Sequence, residues 1–109
     1  MDENTNDWIK EKITSTDVVL FMKGTPEAPQ CGFSNQVVQI LNYLGIEFSS
    51  VNVLEDESIR NGIKEYTNWP TIPQLYVKNE FIGGADIIRE MFEENELKEF
   101  MADKGILTN

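Results

Sequence analysis

Histidine is absent from the 109 residues, and cysteine occurs once, at Cys31. With no imidazole and a single thiol, a closed zinc site within one chain is not expected. A lone cysteine also excludes an internal disulfide. The chain is therefore not a disulfide-stapled secreted domain, and a reducing, cytoplasmic setting is expected, or a mitochondrial matrix where a targeting segment has been removed. Long apolar runs are missing too: none approaches the roughly 18 to 20 residues that cross a bilayer. The opening Met1-Asp2-Glu3-Asn4 is acidic and polar, unlike a secretory or mitochondrial leader. Basic residues are few, 9 against 19 acidic ones, and the net charge of -10 repels phosphate backbones and anionic lipid. Neither nucleic acid nor a membrane is an expected partner. The acidic run Glu93, Glu94, Glu96 and Glu99 reads as a solvated helix face.

What is present is ordinary globular material. The chain is 40% hydrophobic and 26% charged, with apolar residues spread throughout, and its length suits one domain with flexible ends at residues 1–6 and 105–109. Asn6 before Asp7-Trp8-Ile9 suggests a helix N-cap, with Trp8, Ile9 and Ile13 on one face to about Thr14. Val18-Val19-Leu20-Phe21-Met22 has the composition of a strand buried on both faces. Gly24 to Gln30 holds two prolines and a glycine and is expected as an irregular loop. From about Ser34, residues Val37, Val38, Ile40, Leu41 and Leu44 recur at helical spacing up to a stop at Gly45. A strand at about Phe48–Val53 and a helix at about Asp56–Thr67, with Ile59, Ile63 and Tyr66 inward, come next. Two strands, Leu75-Tyr76-Val77 and Glu80-Phe81-Ile82, meet at the glycine-free turn Lys78-Asn79. Closing helices carry Ile87, Ile88, Met91, Phe92, Leu97, Phe100 and Met101. This order predicts an α/β fold: a parallel strand pair from the opening β-α-β unit, an added antiparallel hairpin, and helices covering both faces of the sheet.

The chemistry centres on Cys31, at the junction of a Pro/Gly-rich loop and a helix. Only the thiolate attacks sulfur or binds soft metals, and a helix N-terminus together with Lys23 at the end of the first strand favours that anion. A buried structural cysteine is the alternative, against which the polar setting argues. In the redox motif usually attached to such a unit a second cysteine follows three residues on; here Ser34 stands there, as a helix cap or as a group with a direct role. An alcohol cannot resolve a mixed disulfide, so a separate thiol must, and glutathione is the abundant candidate. One cysteine also cannot supply the four ligands of an iron–sulfur cluster, but two chains each holding one glutathione can. Thr71-Ile72-Pro73 before a strand suggests a cis peptide that turns the Ile72 backbone toward an extended peptide. Lys23 and Arg60 are candidate partners for a glutathione carboxylate, and the backbone at Ala85 and Asp86 for the other charged end, with Asp86 beside the amino group. Surface solvation is the plain alternative for Lys23 and Arg60. Trp69 is assigned mostly to packing and Phe33 to a shared role.

Together, Phe21-Met22-Lys23-Gly24, Pro29-Gln30-Cys31-Gly32-Phe33-Ser34, Trp69-Pro70-Thr71-Ile72-Pro73-Gln74-Leu75, and Phe81-Ile82-Gly83-Gly84 followed by Asp86 resemble the monothiol glutaredoxins over nearly the whole chain. The resemblance implies a thioredoxin fold with a central four-stranded mixed sheet. It implies glutathione binding at Lys23, Arg60, Thr71, Ile72, Ala85 and Asp86, with Phe33, Pro73 and Gly84 beside them. It further implies a 2Fe-2S cluster ligated by Cys31 and glutathione across a homodimer, transfer to acceptor proteins, BolA-like partners, and weak or absent conventional glutaredoxin activity. Many relatives carry cysteine where this chain has Ala85, so a disulfide within one chain is impossible here. Three readings follow: a cluster carrier, a glutathione-dependent oxidoreductase using Cys31 as nucleophile, and a binding module that uses the Ile72-Pro73 edge without chemistry.

Overall fold

In the computed structural model, which describes residues 3–107, the apolar run Val18–Met22 forms strand β1, and all five of its residues are buried. Alternate side chains of a strand point to opposite faces, so an unbroken apolar run needs cover on both. On one face Val18, Leu20 and Met22 pack against α2 (Gly32–Tyr43), α4 (Ala85–Glu93) and α5 (Glu96–Asp103). On the other, Val19 and Phe21 pack against α1 (Glu3–Ser15) and α3 (Glu57–Thr67). Each fully buried Val, Leu, Ile or Phe contributes about 1.5–3 kcal/mol, and β1 thereby anchors two cores at once.

Two short strands, β2 (Gly24–Thr25) and β3 (Ala28–Pro29), pair as a small ribbon inside the segment expected to be irregular. β4 (Ser49–Asn52) lies parallel to β1, while β5 (Gln74–Val77) is antiparallel to β1 and β6 (Glu80–Gly83) antiparallel to β5. The sheet order is β4-β1-β5-β6, the expected mixed sheet of four strands. Parallel pairing of β1 and β4 demands a crossover, and α2 supplies it, which carries the start of α2 to the carboxyl end of β1.

Several boundaries differ from expectation. Helix α1 begins at Glu3, not after Asn6, and its buried stripe is Thr5, Ile9 and Ile13, with Trp8 44% exposed. Residues four apart share a helical face, and Trp8, one position from Ile9, is rotated off it. Tyr66, expected inward, is only partly buried. Residues 3–6 are thus helical, and Ile106 and Leu107 pack against the core; of the ends expected to be flexible, Met1, Asp2, Thr108 and Asn109 lie outside the described residues. Lys78 and Asn79 both take positive φ, 51° and 68°, the conformation a two-residue hairpin prefers. Asp17 helps to hold this turn without glycine: its carbonyl accepts the Lys78 N–H at 2.7 Å and its carboxylate meets Lys78 Nζ at 3.2 Å. The acidic residues Glu93, Glu94, Glu96 and Glu99 are all exposed.

Candidate active site

Cys31 is the N-cap of α2, with extended backbone (φ -151°, ψ 133°) and its carbonyl accepting the Asn35 N–H at 2.9 Å. Its side chain faces the unpaired amides of the first helical turn. Burial opposes ionisation of the thiol. The backbone N–H groups of Ser34 and Phe33, the Ser34 hydroxyl and the Lys23 ammonium outweigh it, so the Cys31 pKa lies below the ordinary thiol value. Cys31 is partly exposed and makes no disulfide, which sets aside the buried structural reading.

Ser34 lies inside α2, and its hydroxyl is not a helix cap. It is fully buried and accepts the Lys23 N–H at 3.1 Å, while also serving the thiolate. A hydroxyl has one donor and two acceptor positions and can do both. The Lys23 carbonyl accepts the Gln30 N–H at 2.9 Å, and the next amide, of Gly24, donates to Asn52 Oδ1 at 2.9 Å. Gly24 has φ 92°, and a Cβ there would stand 2.6 Å from both Ala28 O and Gln30 N, so only glycine fits.

Opposite the thiol, the segment between α3 and β5 carries the cis Ile72-Pro73 peptide. Its shape is held by Gln74, which is fully buried. Gln74 Nε2 donates to the carbonyls of Trp69 and Thr71 at 3.2 and 3.1 Å, and Oε1 accepts from the Thr67 and Tyr76 hydroxyls at 3.2 and 3.1 Å. Trp69 stacks against Phe81 with centroids 5.6 Å apart. The β6–α4 turn closes against this segment: a Cβ on Gly84 would lie 3.3 Å from both Pro73 O and Trp69 Nε1.

Between these walls runs a groove of about 360 Å³. Of the residues singled out from sequence, Cys31, Lys23, Phe33, Thr71, Ile72, Pro73, Gly84, Ala85 and Asp86 all line it. Arg60 does not; Lys64, one turn further along α3, takes part instead, together with Trp69, Pro70 and Ile87. Lys64 was missed because sequence spacing alone cannot tell which of two cations four residues apart is nearer the site. Its position in the last turn before the Trp69-Pro70 segment was the available signal. Lys23 and Lys64 form no ion pair with any described residue, whereas the Asp86 carboxylate meets Arg89 at 3.4 Å. In a chain of net charge -10, two cations converging on one open groove mark it for an anionic ligand. Phe33, 57% exposed, and Ile87, 37% exposed, add an apolar rim.

A partly exposed thiol at the start of the helix that follows the first sheet strand, across a groove from the Ile72-Pro73 segment, on a mixed sheet of this order, is the arrangement of the thioredoxin class of fold. Comparison with known proteins agrees and narrows it. Residues 18–82 match the glutaredoxin family. A relative from Synechocystis, described as an uncharacterized monothiol glutaredoxin, is 55% identical over 101 residues, 93% of this chain and 94% of that one. The solution structure of a monomeric truncated mutant of Trypanosoma brucei 1-C-Grx1 aligns with a TM-score of 0.86 at 45% identity, covering 95% of this chain and 94% of that one. A buckwheat glutaredoxin–glutathione complex aligns at 18% identity with a TM-score of 0.82, covering 99% of this chain and 100% of that one, and speaks to the fold alone. The chain belongs to the glutaredoxin family, in its monothiol form.

Proposed function

We propose that this monothiol glutaredoxin binds glutathione in the groove beside Cys31 and, as a homodimer, carries a 2Fe-2S cluster as cargo for acceptor proteins. The observation that supports this most is the pairing of one open thiol with a cationic, peptide-sized groove. Lys23 and Lys64 suit the carboxylates of a tripeptide, and the start of α4 at Ala85 and Asp86 suits its other charged end. Among the described residues no group of three or more His, Cys, Asp or Glu side chains can hold a metal ion. One chain therefore offers a cluster one soft ligand, Cys31, and the count of four is reached with a second chain and two glutathione thiols. The residues fit the group on those terms. Phe33 and Ile87 supply apolar surface next to the thiol for a second copy, and BolA-like and acceptor proteins are the further partners this reading implies.

The test is anaerobic reconstitution with iron, sulfide and glutathione. Wild-type protein should become coloured and dimeric, and Cys31→Ser should do neither; a colourless monomeric wild type overturns the reading.

A second activity is favoured by the lowered Cys31 pKa. The Cys31 thiolate would attack the glutathione sulfur of a glutathionylated protein, releasing the protein thiolate and leaving Cys31 disulfide-bonded to glutathione. A second glutathione thiolate would then attack the Cys31-bound glutathione sulfur, releasing Cys31 as thiolate and leaving glutathione disulfide, so each step exchanges one disulfide for another and one free glutathione is consumed per protein thiol released. Steady turnover of a glutathione mixed disulfide, lost in Cys31→Ser, would support it; equal rates for the two proteins would remove it.

A further inference from the structure

Lys23 is set beside Cys31 by backbone contacts rather than by an ion pair with any described residue, and the contact from behind comes from a residue outside the groove. Asn52, the last residue of β4, directs Oδ1 to two amides: Gly24 N–H at 2.9 Å and Leu54 N–H at 3.0 Å. The second bond caps the 3₁₀ turn Val53–Glu55, an ordinary task for asparagine. The first reaches 28 residues back along the chain to the turn that carries Lys23. Gly24 sits at φ 92° in a closely enclosed place, where an added Cβ would stand 2.6 Å from Ala28 O and Gln30 N. The two peptide groups flanking Lys23 are thus pinned: Ser34 from α2 accepts the Lys23 N–H, while Gln30 from beyond the ribbon and Asn52 from β4 bond the carbonyl and the N–H of the Lys23–Gly24 peptide.

We infer that Asn52 is a positioning residue for the site: by fixing the Gly24 amide it holds the Lys23 ammonium in the groove next to Cys31. Lys23 lines the groove with Cys31, and its charge is among the groups that favour the Cys31 anion. Asn52 itself faces a separate groove between α1 and β4, with Trp8 and Asp56, so it touches no ligand bound at the thiol. The role of Asn52 in glutathione capture rests on the function proposed above; its hold on Lys23 does not.

The experiment compares alkylation of Cys31 by iodoacetate and by iodoacetamide at one pH in 0.15 M salt. In both, the sulfur displaces iodide from the same carbon, so the thiolate fraction cancels in the ratio of rates. What remains is the pull of nearby positive charge on the anionic reagent. Removing Lys23 by Lys23→Gln should lower the ratio about threefold, a reasonable size for one partly exposed charge. Asn52→Ala should lower it comparably. So should Asn52→Ser, whose hydroxyl can still cap Leu54 but falls short of Gly24, which separates the two bonds if the alanine variant is unstable. In a Lys23→Gln background Asn52→Ser should have no further effect. An unchanged ratio in the alanine and serine variants, or an equal drop with and without Lys23, overturns the inference. Calorimetry with glutathione on the same proteins separates the two claims: a wild type that binds none removes the proposed function, while the alkylation pattern still decides the role of Asn52.

Discussion

The two walls of the groove are built by different means. The Lys23–Cys31 wall is tied by several separate contacts, from Ser34, Gln30 and Asn52, and each holds one amide or carbonyl of a short turn. The Trp69–Pro73 wall, packed on Phe81 and the β6–α4 turn, takes four of its hydrogen bonds from one buried side chain, Gln74, whose amide bonds two carbonyls and two hydroxyls. The first wall carries a charge and a nucleophile, whose reactivity depends on where an ammonium stands. The second presents a backbone edge to an extended ligand, and shape is all it must keep. Distributed contacts set an electrostatic environment, and one multidentate residue sets a contour.

Gly24→Ala should break the first wall most severely. The added Cβ meets backbone atoms at 2.6 Å and a positive φ, and a loss of about 3 kcal/mol or more is expected. At this chain length that lowers Tm by more than about 10 °C, read by thermal melting. Gln74→Ala should break the second wall and cost about 2 kcal/mol, because it leaves a cavity, strands the buried Tyr76 hydroxyl and frees two partly buried carbonyls. The comparison sharpens if Gln74→Ala weakens glutathione binding while the iodoacetate preference of Cys31 stays at the wild-type ratio. A parallel loss of both would mean that the walls are not independent.

Ser34→Ala acts within the first wall. The thiolate loses a hydrogen bond and the Lys23 amide loses its acceptor, at about 1 kcal/mol of stability. Because that bond favours the anion, its removal moves the pH midpoint of Cys31 alkylation upward, and reactivity at neutral pH falls. A midpoint that moves down or stays put contradicts the assigned role. The smallest effect is expected at the cations of α3: Lys64→Gln should weaken glutathione binding about threefold, and less at high salt, while Arg60→Gln changes it little. The reverse order would show that Arg60 swings into the groove when ligand binds.

Much of this was legible in the sequence because it depends on local pattern. A β-branched and aromatic run gave β1, helical spacing gave α2, and a cysteine between a Pro/Gly-rich loop and that helix could only stand near its first turn. The turn at Lys78-Asn79 was less legible, since it relies on Asp17, a residue distant in sequence. Trp8 was misjudged because one position on a helix is a rotation of about 100°, and the tertiary contacts of Thr5, Ile9 and Ile13 decide which side is inward.

By itself the sequence determined the order of the main helices and sheet strands, the mixed sheet, the lone thiol and its lack of a resolving partner, since each follows from residue type and spacing, while the β2–β3 ribbon did not show in it. Only the tertiary structure decided that Lys64 rather than Arg60 borders the groove, that Ser34 serves Lys23 and the thiolate instead of capping a helix, and that Asn52 and Gln74 hold the two walls. The physical reason is reach. A hydrogen bond acts over about 3 Å, and which groups come that close across 11 or 28 residues of chain is settled by how the sheet and helices pack.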